Sequence, residues 1–286
     1  MMAGESSAAS SLTWRVKDRL VEVPLPAVMG ILNTTPDSFH SGSRVDADSA
    51  LRAAERMLEE GAAILDIGGM STRPGSEEVN VEEELRRVVP VASAIHLRFP
   101  QALLSIDTYR ARVAREAVAA GAGLVNDIGA GLLDEDMLAT VASLHVPYIA
   151  MHMQGTPRTM QEAPGYKDVT AEVTLFLSQR RNAARAASIA DVVLDPGFGF
   201  GKSTAHNYAL LNGLGSINAL GAPVLVGLSR KRMISAVLGT TPDEALNGTT
   251  ALNTVALLNG ASILRVHDVK EAVQCARLLA ALRDQK

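Results

Sequence analysis

Leu103-Leu104-Ser105-Ile106-Asp107 is a short apolar run that stops at a carboxylate, and it is one of eight such runs along the chain. Before it stand Val28–Leu32, stopping at Asn33, and Ala62–Ile67, with Asp66 near its end. After it come Leu124–Val125 stopping at Asn126 and Asp127, Tyr148–Met151 at His152, and Val192–Leu194 at Asp195. Val224–Leu228 stops at Ser229, and Ile263–Val266 at His267. Runs this short, rich in Val, Ile and Leu and separated by helical spacing, read as strands buried on both faces, as in a parallel sheet. Eight such units close into one (β/α)8 TIM barrel, an α/β fold whose strand C-termini all face a single mouth. Polar groups gathered at that mouth are unfavourable unless they bind something, so the mouth is the expected site.

The intervening segments carry helical signals. Ala50, Leu51, Ala54, Met57 and Leu58 form one apolar stripe, with Gly61 as its stop. Asn80 followed by Glu83, and Asp268 followed by Glu271, predict capping boxes that open two later helices. Gly121 and Gly260 are placed to end helices ahead of the fourth and eighth strands. Leu12–Leu25 predicts a short β-extension under the barrel floor, and Met1–Ser11 a disordered tail. Residues 12–286 read as one domain, since no linker divides them.

Composition narrows the function classes. Hydrophobic residues make up 47% of the chain and aromatics 3%, so an aliphatic core of full domain size is expected. A net charge of −4 argues against a nucleic-acid partner. A lone cysteine, Cys275, excludes an internal disulfide and fits a reducing, cytoplasmic setting. The sequence holds neither a signal-peptide pattern nor a run long enough to span a membrane.

Several constellations carry chemistry. Asn-Thr-Thr-Pro-Asp-Ser-Phe (33–39) offers an amide, hydroxyls and a carboxylate to a phosphate or hydrated Mg²⁺. Gly-Gly-Met-Ser-Thr-Arg-Pro-Gly (68–75) exposes backbone N–H groups and a guanidinium, which suits an anion. Asp107, Asn126 and Asp195 end three strands and can grip a flat heterocycle with N–H donors and ring acceptors. One such residue alone is more often a helix cap; three at equivalent strand ends indicate a site. Asp-Pro-Gly-Phe-Gly-Phe-Gly-Lys (195–202) imitates two nucleotide motifs and satisfies neither, because Gly197 and Gly201 enclose three residues where a Walker loop needs four. Ser229-Arg230-Lys231 and Arg265-Val266-His267 set cations beside the last two strands, where barrels commonly hold phosphate. The other histidines show no metal spacing, and Cys275 reads as inert packing.

These strings resemble the dihydropteroate synthase family of bacterial folate synthesis. Met-Gly-Ile-Leu-Asn-Thr-Thr-Pro-Asp-Ser-Phe (29–39), Ile-Asp-Thr (106–108), Asn-Asp-Ile (126–128), Met-His-Met-Gln-Gly (151–155) and Arg-Val-His-Asp-Val (265–269) join those above, in the family's order. The resemblance implies a transferase that joins 6-hydroxymethyl-7,8-dihydropterin diphosphate to 4-aminobenzoate, releasing diphosphate. By resemblance Asp107, Asn126, Met151, Asp195, Phe200 and Lys231 hold the pterin, and Asn33, Arg73, Arg265 and His267 the diphosphate, with Mg²⁺ at Asn33. Phe39, Thr72, Arg73, Pro74 and Ser229 shape the aminobenzoate site, while Asp107, Lys231, Arg265 and His267 carry the chemistry. A homodimer and sulfonamide inhibition are implied as well.

The chain departs from the family pattern in places. The first loop reads His40-Ser41-Gly42-Ser43 where Ser-Asp-Gly-Gly is usual, so the second acid is missing and Asp46 or Asp48 is its candidate substitute. Met70 replaces a common Glu, and Tyr109-Arg110 stands for a frequent Ser-Lys. The alternative reading, a methyltransferase acting on methyltetrahydrofolate, shares the pterin-holding acids but needs neither the Arg-x-His pair nor the 33–39 loop.

Overall fold

A computed structural model describes residues 11–34, 43–70, 79–156, 159–160 and 164–283, and only the backbone of 43–47. Phe39, Ser41, Thr72, Arg73 and Pro74 lie outside the described residues, as does the side chain of Asp46.

The chain opens with an antiparallel hairpin, β1 (Ser11–Val16) and β2 (Arg19–Pro24). Ser11, expected in the tail, pairs with Pro24 as the first residue of β1. The barrel strands follow as β3 (Ala27–Asn33), β4 (Ile64–Gly68), β5 (Leu103–Asp107) and β6 (Leu124–Asp127). They continue as β7 (Tyr148–Met151), β8 (Val192–Asp195), β9 (Leu225–Val226) and β10 (Ile263–Val266). Neighbouring strands pair in parallel in the order β8-β7-β6-β5-β4-β3-β10-β9, and a parallel bridge between Leu194 and Val224 closes the ring. Each strand falls on one of the apolar runs read from the sequence. β9 is the shortest, because Pro223 has no N–H to offer the ladder and Gly227 ends the run.

Helices cover the outside: α1 (Ser43–Glu59), α2 (Val81–Arg98), α3 (Ala111–Ala119), α4 (Met137–Leu144) and α5 (Val169–Ala186). The rest are α6 (Thr204–Asn212), α7 (Leu214–Asn218), α8 (Arg232–Leu238), α9 (Leu246–Leu258) and α10 (Val269–Arg283). Gly61, Gly121 and Gly260 follow helix ends at φ values of 102°, 123° and 97°, in the left-handed region that a residue with a Cβ adopts only under strain. The two expected capping boxes form incompletely. Asn80 Oδ1 accepts from Glu83 N at 2.9 Å, but the Glu83 carboxylate is taken by Arg86 and Arg87. The Asp268 carboxylate turns to Arg230.

The hairpin seals the barrel floor. Trp14, Val16 and Val23 are buried against inward residues that include Met29, Ile64, Leu103, Leu124, Ile149 and Ile263. This apolar plug leaves the opposite end for the polar strand termini.

Candidate active site

Alternate residues of a strand point to opposite faces, and the floor plug fixes which face is inward. Ile64, Leu103, Leu124, Val193 and Ile263 lie inside the barrel. Stepping by two toward the mouth, the inward positions are Asp66 on β4, Ser105 and Asp107 on β5, Asn126 on β6, Asp195 on β8, and Arg265 and His267 on β10 and just beyond. The same step from Met29 reaches Asn33, from Ile149 reaches Met151, and from Leu225 reaches Ser229. Asp127 is out of phase. Its carboxylate accepts from Gly129 N, Gly131 N and the Tyr148 hydroxyl at 2.7, 2.6 and 2.7 Å, and so braces the turn after β6.

Arg265 spans the floor of the cup. Its Nε donates to Asp66 Oδ2 at 2.6 Å and its NH2 group to Asp107 Oδ2 at 2.6 Å. Burial alone would lower the guanidinium pKa, but Asp66 and Asp107 outweigh it and hold the group charged. Asn126 Nδ2 donates to the same Asp66 oxygen at 3.0 Å. Burial pushes the Asp107 carboxyl upward against the pull of Arg265, with Asp66, Glu84 and Asp127 adding to the rise. Asp66 Oδ1, Ser105 Oγ and Asn126 Oδ1 are buried without a hydrogen-bond partner. Such orphans are rare in native interiors, and three on adjacent strands at one depth mark a place where a polar ligand completes the bonding.

Two further basic side chains, Lys231 and His267, come to the mouth from the last barrel loops. Arg230 adopts φ 56° and turns outward to a bidentate pair with Asp268, at 3.0 and 2.7 Å. That turn leaves its neighbours Ser229 and Lys231 on the mouth. Ser229 Oγ lies 3.0 Å from His267 Nδ1 and accepts from His267 N at 3.2 Å, which orients the imidazole. The Lys231 ammonium contacts the Phe198 carbonyl and sits 4.7 Å from the centroid of the Phe200 ring. Burial, reinforced by Arg265 and opposed by Asp195, pushes this lysine down to about 8. Asp195 is raised by burial, with Lys231 pulling against the rise, and its Oδ1 accepts from Gly197 N at 2.7 Å.

Of the sequence-predicted residues, Asp107, Asn126, Asp195, Arg265, His267, Ser229 and Lys231 are therefore collected at one end of the barrel. Met151 is buried at the end of β7, and Phe200 lies beside Lys231. Arg265 reaches across the cup to two acids. Asn33 ends β3, where its Oδ1 lies 3.6 Å from the place a Cβ on Gly68 would take. Asp48 is exposed on α1. Among the described residues no cluster of three His, Cys, Asp or Glu side chains forms a metal cage. Asn33 alone suits only a Mg²⁺ held mainly by water and phosphate oxygens, the usual manner for that ion. Sequence reasoning named Asp66 as the polar residue of the second run but gave neither it nor Ser105 a role in the site, although counting in twos from Asp107 and its paired neighbours finds both.

The pterin binding enzyme family matches residues 29–267. The dihydropteroate synthase of Escherichia coli is 47% identical over 264 residues, covering 91% of this chain and 93% of the relative. A crystal structure of Yersinia pestis dihydropteroate synthase with a sulfonamide drug superposes with a TM-score of 0.89 at 43% identity, covering 96% of this chain and 100% of that one. The Xanthomonas albilineans dihydropteroate synthase in complex with 7,8-dihydropteroate gives 0.83 at 44% identity, covering 94% and 98%.

Proposed function

The chain belongs to the dihydropteroate synthase family of pterin binding enzymes, and we propose that its transferase reaction takes place in the cup at the barrel mouth. The reaction condenses 6-hydroxymethyl-7,8-dihydropterin diphosphate with 4-aminobenzoate to give 7,8-dihydropteroate and diphosphate, a step of folate biosynthesis. The observation that carries the site is the set of orphaned polar atoms on Asp66, Ser105 and Asn126. A pterin offers ring N–H donors and acceptors in one plane, the complement that such a set lacks.

In this reading Asp107, Asn126 and Asp195 bind the ring edge and Lys231 donates to a ring acceptor, with Met151 and Phe200 against its faces. Asn33, Arg73, Arg265 and His267 hold the diphosphate. Phe39, Thr72, Arg73, Pro74 and Ser229 receive 4-aminobenzoate, whose place sulfonamides would take. The C–O bond to diphosphate breaks, the amine nitrogen bonds to the pterin methylene, and the amine proton leaves with the diphosphate. Arg265 and His267 face the negative charge that grows on the leaving group, and Asp107 the positive charge on the pterin. Mg²⁺ at Asn33 would neutralise part of the diphosphate charge.

Six large apolar side chains are exposed on three consecutive outer helices: Val237 and Leu238 on α8, Val255 and Leu258 on α9, Leu278 and Leu282 on α10. Exposed apolar side chains on neighbouring helices support a homodimer through that face. Among the described residues no helix is long and apolar enough to cross a membrane, and the single cysteine supports a cytoplasmic setting.

The test is to incubate the protein with the pterin diphosphate, Mg²⁺ and 4-aminobenzoate and follow dihydropteroate by mass. Product that depends on all three supports the assignment; diphosphate release without dihydropteroate refutes it.

A further inference from the structure

Lys202 is a buried lysine that the reaction leaves unused, and the glycine loop is wrapped around its Nζ. The residue is 4% exposed. Its Nζ lies 2.8 Å from the Gly197 carbonyl oxygen, 3.0 Å from that of Phe200 and 2.9 Å from His152 Nδ1, with the His152 carbonyl at 3.5 Å. An ammonium has three N–H donors, and the three nearer acceptors match them one for one. Burial and the lysine charge push His152 down to about 3, so its ring is neutral and Nδ1 can accept. Phe176 meets that ring edge-on at 4.8 Å, and the Tyr166 hydroxyl ties Gly201 O at 2.8 Å. A Cβ on Gly197 would stand 1.8 Å from the His152 carbonyl oxygen, and φ there is 67°, so only glycine lets the loop come this close. In a nucleotide loop the lysine reaches out to phosphate. Here it points back into the loop's own carbonyls.

The consequence reaches the pterin wall. The Gly197 carbonyl that takes Lys202 also accepts from Phe200 N at 3.1 Å, and the Gly197 N–H donates to Asp195. Phe200 in turn lies against Lys231. We propose that Lys202 is a positioning residue for the transferase, an inference that rests on the pterin site proposed above: its Nζ contacts hold the 197–201 turn so that Phe200 and the Asp195 carboxylate meet the pterin ring in fixed places.

Lys202→Met keeps the aliphatic stem and removes the ammonium; Lys202→Gln restores two N–H donors without the charge. Each is titrated calorimetrically with 6-hydroxymethylpterin, and kcat and the KM for both substrates are measured. Lys202→Met is expected to weaken pterin binding, and to raise the KM for the pterin diphosphate, by about tenfold or more, the scale of one lost charged hydrogen bond. The KM for 4-aminobenzoate and the circular-dichroism spectrum should match wild type, and Lys202→Gln should recover part of the loss. Combined with Phe200→Ala, the Met variant should lose less than the sum of the two, since both act through one ring. Pterin affinity within about twofold of wild type, full additivity with Phe200→Ala, or an unfolded spectrum in both single variants would each overturn the proposal. Failure of the functional reading shows separately, as wild-type protein that makes no dihydropteroate.

Discussion

Replacing Asp66 by Asn exchanges one oxygen for an NH2 group at constant shape, and the neighbours dictate which one. Asp66 Oδ2 receives Arg265 Nε at 2.6 Å and Asn126 Nδ2 at 3.0 Å, both donors, so the amide oxygen must take that place. The NH2 group then stands where the unpartnered Oδ1 stood. Two losses follow. In the ligand-free protein Arg265 keeps Asp107 but loses one of its two carboxylates. Breaking a fully buried pair costs about 3–5 kcal/mol. The Arg265 side chain is 21% exposed and still paired, so the smaller figure for one charged hydrogen bond, about 1.5–3 kcal/mol, governs. In the complex, a pterin N–H aimed at Oδ1 meets a donor, which at about 2 kcal/mol is roughly a 30-fold loss of affinity. Urea denaturation reads the first loss and calorimetric titration with 6-hydroxymethylpterin the second. An unchanged unfolding midpoint together with affinity within about threefold of wild type would refute the reasoning, because Arg265 would then rest on Asp107 alone and Oδ1 would face no ring donor.

Pterin affinity should fall as pH rises through about 8, since Lys231 is a charged donor only while protonated and burial has lowered it to that range, with Arg265 and Asp195 the charged groups acting on it. Lys231→Arg does not titrate there, so dividing the two affinity profiles removes the ligand's own ionisation; a flat ratio from pH 7 to 9.5 would contradict the role. Ligand-free stability should rise with pH above about 7, because the Lys202 pKa is lowered on folding from 10.5 to about 7 and the unfolded chain then binds more protons. The expected slope is up to about 1.4 kcal/mol per pH unit per group, and urea midpoints at pH 7 and 9 that move equally in wild type and Lys202→Met would count against it. Leu278→Glu with Leu282→Glu, at positions 73% and 60% exposed, should give a monomer by light scattering if the α8–α10 face joins two copies, and an unaltered mass would reject that face.

The barrel was legible because each of its strands is an apolar run with a polar stop, a local signal that survives without tertiary information. The strand-end residues Asp107, Asn126 and Asp195 were legible for the same reason. The roles of Asp66 and Ser105 were not, because both lie within apolar runs, and their inward aim depends on the phase that the floor plug sets. The capping boxes were half wrong for a different reason. A carboxylate three residues into a helix has other suitors, and Arg86 and Arg87 offered Glu83 charged hydrogen bonds that the cap N–H could not match. The aim of Lys202 was hidden because its partners are backbone carbonyls, which every residue has and no sequence pattern distinguishes.

The ligand-free cup balances its own charges. Asp66 and Asp107 face Arg265, and Asp195 faces Lys231, so much of the cost of burying these groups is offset before any ligand arrives. Arg265 takes only Oδ2 of Asp107, at 2.6 Å, so the second carboxylate oxygen remains available to a ring N–H. Asp66 meanwhile holds the Nε of Arg265 at 2.6 Å, so the guanidinium keeps a carboxylate of its own. The guanidinium is then neither stranded in a dry interior nor fully neutralised. Two residues along the chain and one inward step nearer the mouth stands His267, so Arg265 carries its charge on the side of the cup where the leaving group is expected. In the proposed site the acids that would recognise the ring and the cations that would receive the diphosphate form one electrostatic unit, since Arg265 pairs with Asp66 and Asp107, and Asp195 acts on Lys231.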